Sequence, residues 1–180
     1  YAGLVGQDAA TLTGELGALQ APGKTTFLPY LGGERTPLNS ASIRGAFTGL
    51  EHATDRQAGT RAVLEGVTFA IRDCRDALAA TGTRLENLLA VGGGSRSDYW
   101  LRAIATALDC PVQLPVAGDF GGAFGAARLA IMAATGAGAE IASLPKIARQ
   151  IDPDPALKDA FDAGHASYRA AQIAIQGLTT

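Results

Sequence analysis

The sequence predicts an α/β domain. Three observations carry that prediction: apolar residues at helical spacing over 63–78, a short apolar run at 88–91 stopped by three glycines, and a second amphipathic segment directly after them. Strand, glycine turn, helix, strand, loop, helix is an α/β order. The 180 residues suit one domain of ordinary size or one half of a two-domain protein. Hydrophobic residues make up 47% and charged residues 18%, which excludes a disordered, collagen-like or coiled-coil chain.

Residues 1–26 are rich in Ala, Gly and Thr and weakly helical over 8–19, ending at Pro22-Gly23. The stretch 27–54 carries Pro29, Gly32, Gly33, Pro37 and Gly45 and reads as a long loop, because such breakers do not fit inside a helix. Loops of that length are functional or lie against another domain. Next, Val63, Val67, Ala70, Ile71, Cys74, Ala77 and Leu78 define one face of a helix of about six turns. Thr54 or Asp55 can cap its start, and Gly82 can carry the chain out in a left-handed conformation. Arg61, Glu65, Arg72, Asp73, Arg75 and Asp76 are expected mostly off the apolar face.

The run at 88–91 reads as a buried strand feeding the turn at Gly92, Gly93 and Gly94. A helix opens near Ser97 with Trp100, Leu101, Ile104, Ala105 and Leu108 on one face. Residues 111–116 form a second strand, with Pro111 and Pro115 at its ends. A third helix covers 121–134, and its small residues Gly122, Gly125 and Ala126 predict close packing. Asp152-Pro153-Asp154-Pro155 starts a last helix with Leu157, Phe161, His165 and Tyr168 on one face.

Composition narrows the partners. Lys plus Arg is 15 against 17 for Asp plus Glu, a net charge of -2, so neither nucleic acid nor an anionic membrane is the expected partner. No apolar run reaches the roughly 20 residues needed to span a bilayer, and no basic-then-apolar leader opens the chain. Cys74 and Cys110 stand 36 positions apart without a CxxC, which argues against a disulfide framework or a Cys/His zinc site and fits a reducing cytoplasm. Tyr1 comes first and the only methionine is Met132, so the chain is expected to begin inside a longer gene product.

The strongest local signal for chemistry is Val91-Gly92-Gly93-Gly94-Ser95-Arg96-Ser97 at a strand-to-helix junction. Glycines let a ligand approach the backbone, and the free N–H groups of a helix start attract anions or polar atoms. The plain alternative is a tight turn that only reverses the chain. A dinucleotide-binding reading matches Gly92-x-Gly94-x-x-Ser97 and Asp119 imperfectly, since the fingerprint wants Gly or Ala at the third position and an acid about 20 residues on. A phosphate loop over 17–25 fails because five residues separate Gly17 and Gly23 where that motif has about four, and no helix follows Thr25. Gly121 and Gly122 can bring a helix start against a nucleotide, while Gly125 and Ala126 are expected to serve packing. Glu34 and Arg35 sit in a loop that either is solvated or lines a cleft. His52 and His165 read as surface or packing residues, and Glu65 as a structural partner of an arginine. No catalytic triad, metal-ligand set or general base is legible.

Five segments occur in order over about residues 27–135. They are 27–37 (FLPYLGGERTP), 44–50 (RGAFTGL), 61–73 (RAVLEGVTFAIRD), Gly92 to Ser97 with Trp100, and 121–130 (GGAFGAARLA). Together they resemble the C-terminal half of a sugar kinase of the FGGY family, most closely its xylulose-phosphorylating members. The resemblance implies the actin-like, ribonuclease-H-like fold, in which two α/β domains flank a cleft. It implies transfer of the γ-phosphoryl group of ATP to a sugar hydroxyl, with Mg2+ neutralising the phosphates. This half would supply the adenosine side, through Gly92, Gly93, Gly94 and Ser95, with Asp98 near the adenine and Gly121 and Gly122 at the next helix start.

The same resemblance places the catalytic aspartate, most sugar contacts and a phosphate-binding Gly-Thr hairpin upstream, in an N-terminal domain. It therefore implies no catalytic residue and no metal ligand in 1–180, which would be one nucleotide-binding domain with part of its sheet missing. Phosphoryl transfer needs nucleophile, base, metal and phosphate cradles together, so the chain alone is expected to be inactive. Expected partners are ATP or ADP, a sugar with D-xylulose ahead of glycerol, gluconate or ribulose, the N-terminal domain, and a second copy in a homodimer. A nucleotide-binding module without sugar chemistry and an NAD-dependent dehydrogenase domain are the alternatives.

Overall fold

The computed structural model describes residues 1–116 and 121–177. Two short helices, α1 (Ala2–Val5) and α2 (Ala9–Gly14), precede a pair of three-residue strands, β1 (Thr26–Leu28) and β2 (Ala46–Thr48). Then come α3 (Arg56–Ala80), β3 (Leu88–Leu89), α4 (Asp98–Leu108), β4 (Val112–Pro115), α5 (Gly121–Thr135), β5 (Ile147–Ile151) and α6 (Lys158–Gln176). Strands β1 and β2 pair antiparallel, with Phe27 opposite Phe47. A second sheet has the order β3-β4-β5, parallel between β3 and β4 and antiparallel between β4 and β5.

Helix α3 is the spine of the fold. The Asp55 side chain caps it, accepting from the backbone N–H of Ala58 at 2.8 Å, and Gly82 leaves with φ 89°. Its buried stripe differs from the predicted one. Ala62, Glu65, Gly66, Phe69 and Asp73 are buried, whereas Val63, Val67, Ala70, Ile71, Cys74 and Ala77 are half-buried and Leu78 is 48% exposed. Gly66 explains part of the shift: a Cβ there would run into the carbonyl oxygen of Phe27, so β1 lies directly on the helix backbone. The two carboxylates explain the rest, because each is buried with partners, which offsets its desolvation. Asp73 Oδ1 lies 2.8 Å from His165 Nε2 of α6, so His165 is a packing residue, as the sequence predicts.

Glu65 is the arginine partner expected of it. It accepts from the backbone N–H of Gly23 at 3.0 Å, from the Tyr99 hydroxyl at 3.4 Å and from the Arg61 guanidinium at 3.4 Å. Burial nevertheless raises its pKa above the ordinary glutamate value, against the opposing pull of Gly23 and Arg61. The folded state thus holds this proton more tightly than the unfolded chain. Stability therefore falls as pH rises from the ordinary glutamate value through the raised one. Urea midpoints should decline across that window, and Glu65→Gln should flatten the decline; an identical slope in the variant would refute the assignment.

The larger core cluster includes Leu28, Tyr30, Ile43, Phe69, Ala107, Phe161 and Tyr168. A smaller one joins Leu101 and Ala105 of α4 to Val112 and Ile151 of the sheet. Helix α6 closes the first cluster: Phe161 and Tyr168 are fully buried, and the Tyr168 hydroxyl lies 2.6 Å from that of Tyr30. The predicted face of this helix is thus the observed one.

Three expectations are overturned. The 27–54 stretch is not all loop, because β1 opens it, β2 lies within it, and the two pair antiparallel. The 88–91 run is a strand but not a buried one: Leu89 and Val91 are each 45% exposed, since β3 pairs only with β4 among the described strands. Helix α5 forms, yet its small face is not packed. A Cβ at Gly122 or Gly125 would meet nothing within 4 Å, and Gly125 instead lines a cavity with Val91, Val116 and Leu144. No helix among the described residues is long and apolar enough to cross a membrane.

Candidate functional site

The glycine turn is built by three successive constraints. Gly92 takes φ 81°, a conformation that L side chains rarely adopt, and turns the chain out of β3. A short 3-10 turn, Gly93–Arg96, follows, closed by the Ser95 hydroxyl donating to the Gly92 carbonyl at 2.6 Å. Ser97 then caps α4, its oxygen accepting from the Trp100 N–H at 3.3 Å. Gly94 lies on the Trp100 ring, where a Cβ would come within 2.5 Å of Cζ3. Trp100 in turn donates its indole N–H to Thr68 Oγ1 at 3.1 Å, tying the turn to α3.

Gly93 is the exception. It is exposed, its φ is not positive, and a Cβ there would meet nothing within 4 Å. The fold itself does not require a glycine at this position. Gly93 instead lines a cavity of about 680 Å³, with Gly94, Ser97, Asp98 and Trp100 on one wall and Thr13 and Gly14 of the α2 helix opposite. Backbone N–H groups at the start of α4 and an aromatic ring border the same space, an arrangement that suits a flat ligand with a polar edge.

Asp98 is held in place by an unpredicted partner. Arg149 of β5 grips it in a fork, Nη1 to Oδ1 at 2.7 Å and Nη2 to Oδ2 at 2.8 Å. The hydrogen bonds from Arg149 keep the Asp98 carboxyl below the usual aspartate range. Sequence reasoning passed over Arg149, Thr13 and Gly14, and no local motif marks them.

The predicted ligand set is therefore divided. Gly93, Gly94 and Asp98 share the cavity, while Gly92 and Ser95 shape the turn behind it. Gly121 lines a second cavity, also about 680 Å³, with Val91, Pro115, Phe124 and Leu144; Gly122 lies in open space beside it. A Cβ on Gly121 would be 3.8 Å from Val91, which lines this second cavity with it, and the two cavities share no lining residue. Asp119, which a dinucleotide reading needs, lies outside the described residues. The phosphate-loop reading has no support either, since Thr25 leads into β1 rather than a helix.

Among the described residues, one group of metal-ligating side chains has its ligand atoms within 4.8 Å of one another: Asp73, Asp76 and His165. None of them lines the glycine-turn cavity. The residues present there do not fit a magnesium site of the chain's own, because Asp98, the cavity's carboxylate, is already gripped by Arg149.

The pattern of the "FGGY family of carbohydrate kinases, C-terminal domain" matches residues 6–134, well over half of the chain. The chain belongs to that FGGY family. Relatives of this FGGY domain include the xylulose kinase of Escherichia coli K12, 42% identical over 121 residues, which are 67% of this chain and 25% of that protein. The crystal structure of a "xyloylose kinase" from Brucella ovis is 57% identical, with a TM-score of 0.91 over 99% of this chain and 38% of that one. The xylulose kinase structure from Rhodospirillum rubrum is 29% identical, with a TM-score of 0.75 over 99% of this chain and 35% of that one. The FGGY domain thus has the actin-like fold expected of it. It spans about a quarter of the length of the curated relatives it matches.

Proposed function

We propose that the protein carrying this FGGY domain is a cytoplasmic sugar kinase, transferring the γ-phosphoryl group of ATP to a hydroxyl of D-xylulose. In this reading residues 1–180 form the C-terminal, nucleotide-binding domain and supply the adenosine side of the cleft. Gly93 carries the assignment: it is a glycine that the fold does not demand, facing a cavity at a helix start. Gly92, Gly94 and Ser95 set the turn that presents it, and Asp98 meets the base. Gly121 and Gly122, across Val91, leave room for a further part of the same ligand. Magnesium would arrive with the phosphates, and no step is assigned to it through these residues. Sugar contacts and the base that deprotonates the sugar hydroxyl belong to an N-terminal domain, and a homodimer is the expected assembly.

The test is a coupled assay of ADP release. The full-length protein should turn over with D-xylulose and fall well behind with glycerol, gluconate or ribulose, and the 180-residue chain alone should give no turnover. Turnover by the pure isolated chain would refute the division of labour. A full-length protein that binds ADP yet phosphorylates none of these sugars would favour a nucleotide-binding module.

A further inference from the structure

A carboxylate at the edge of a purine pocket can read the base in two ways. Its two oxygens can accept together from the N1–H and the 2-amino group of guanine. Alternatively, one oxygen can accept from the 6-amino group of adenine. The first mode needs the fork of the carboxylate open. In this structure the fork of Asp98 is filled by Arg149, whose two Nη atoms lie 2.7 and 2.8 Å from the two oxygens. Such a planar, two-bond grip fixes the carboxylate's direction as well as its charge. Only the outer lone pair of each oxygen remains for a ligand.

We propose that Arg149 sets the base selectivity of the nucleotide site: by filling the fork of Asp98 it denies guanine its paired contact and leaves adenine its single one. The proposal rests on the reading that the glycine-turn cavity receives the nucleoside of ATP. Arg149 lies beyond the family-matched residues 6–134 and is delivered by the β4–β5 pairing, opposite Leu114. That pairing is packed on α4, which bears Asp98, through Leu101, Ala105, Val112 and Ile151. The ion pair itself is half exposed, 45% for Arg149 and 55% for Asp98, so little stability is expected of it. Its geometry accounts for selectivity better than for folding. Arg149 is thus a positioning residue that acts through Asp98, by excluding the wrong base.

The experiment compares kcat/KM for MgATP and MgGTP in the full-length protein, with calorimetric Kd values for MgADP and MgGDP. In Arg149→Met the ATP-over-GTP ratio should fall by about tenfold, the size of one good bidentate base contact. Arg149→Lys, which offers one donor nitrogen in place of a planar two-nitrogen fork, should lie between the variant and the natural protein. In Arg149→Met combined with Asp98→Ala the gain for GTP should vanish, while a purely structural role would leave the ratio unmoved in every variant. An unchanged ratio in Arg149→Met overturns the proposal, and so does a gain for GTP that survives removal of the Asp98 carboxylate. Gly93→Leu separates the underlying reading: if it binds both nucleotides as the natural protein does, the cavity is not the nucleoside site and both ideas fall.

Discussion

Gly93→Leu is expected to weaken MgADP binding by about tenfold to a hundredfold and to leave the melting temperature unchanged. The size follows from forcing a side chain into a site shaped for a ligand, about 1–3 kcal/mol, at about 1.4 kcal/mol for each factor of ten. The absence of a stability cost follows from the structure, where a Cβ at Gly93 meets nothing within 4 Å. Its neighbours behave differently. Gly94→Leu must push Trp100 off its place over the turn and so should lower both binding and stability. Any L residue at Gly92 meets φ 81° with ψ -174°, a region essentially reserved for glycine, at a strain of about 1–3 kcal/mol. Titration of the three variants with MgADP, and with NAD as control, separates ligand from scaffold. Equal loss of stability in all three would make the triplet a turn and nothing more, and NAD binding in place of ADP would restore the dehydrogenase reading.

Phe161→Ala should cost about 3–5 kcal/mol, the usual range for emptying an aromatic position in a core. The ring is fully buried and meets Phe69 of α3 edge-on, with centroids 6.2 Å apart. It belongs to the same cluster as Leu28, so the cavity would open where α6, α3 and β1 come together. Urea denaturation should show a large drop in midpoint, and Phe161→Leu a much smaller one of less than about 1.5 kcal/mol. A loss below about 1 kcal/mol for the alanine variant would mean that α6 is not the lid of the core.

The helices were legible in the sequence because their signals are local. Asp55, one of the two caps offered for α3, is the one that caps it, α4 opens next to Ser97 as expected, and Phe161, His165 and Tyr168 share the face their spacing predicts. What could not be read locally was set by approach from elsewhere. The buried side of α3 is marked by Gly66, Glu65 and Asp73, which no hydrophobic pattern selects. They are buried because β1 lies against Gly66 and because Gly23 and His165 satisfy the carboxylates. Strands β1 and β2 have three residues each in a stretch dense with breakers, and β5 is mostly exposed along its length. The site divides in the same way. The glycines announce the turn, but Arg149 reaches Asp98 across 51 residues and depends on the register of β5.

The junction of Tyr30 with Tyr168 fixes an order of events during synthesis. The two hydroxyls that meet at 2.6 Å are separated by 138 positions, so the first cannot be covered until nearly the whole segment has left the ribosome. At about 5–20 residues per second that wait is about 7–28 s. Throughout it Leu28, Tyr30, Ile43 and Phe69 have their early neighbours but no roof, since Phe161 and Tyr168 are still to come. Pairings so distant along the chain are also the slowest to close. The apolar surface that α6 covers therefore stays open to water until that helix has emerged.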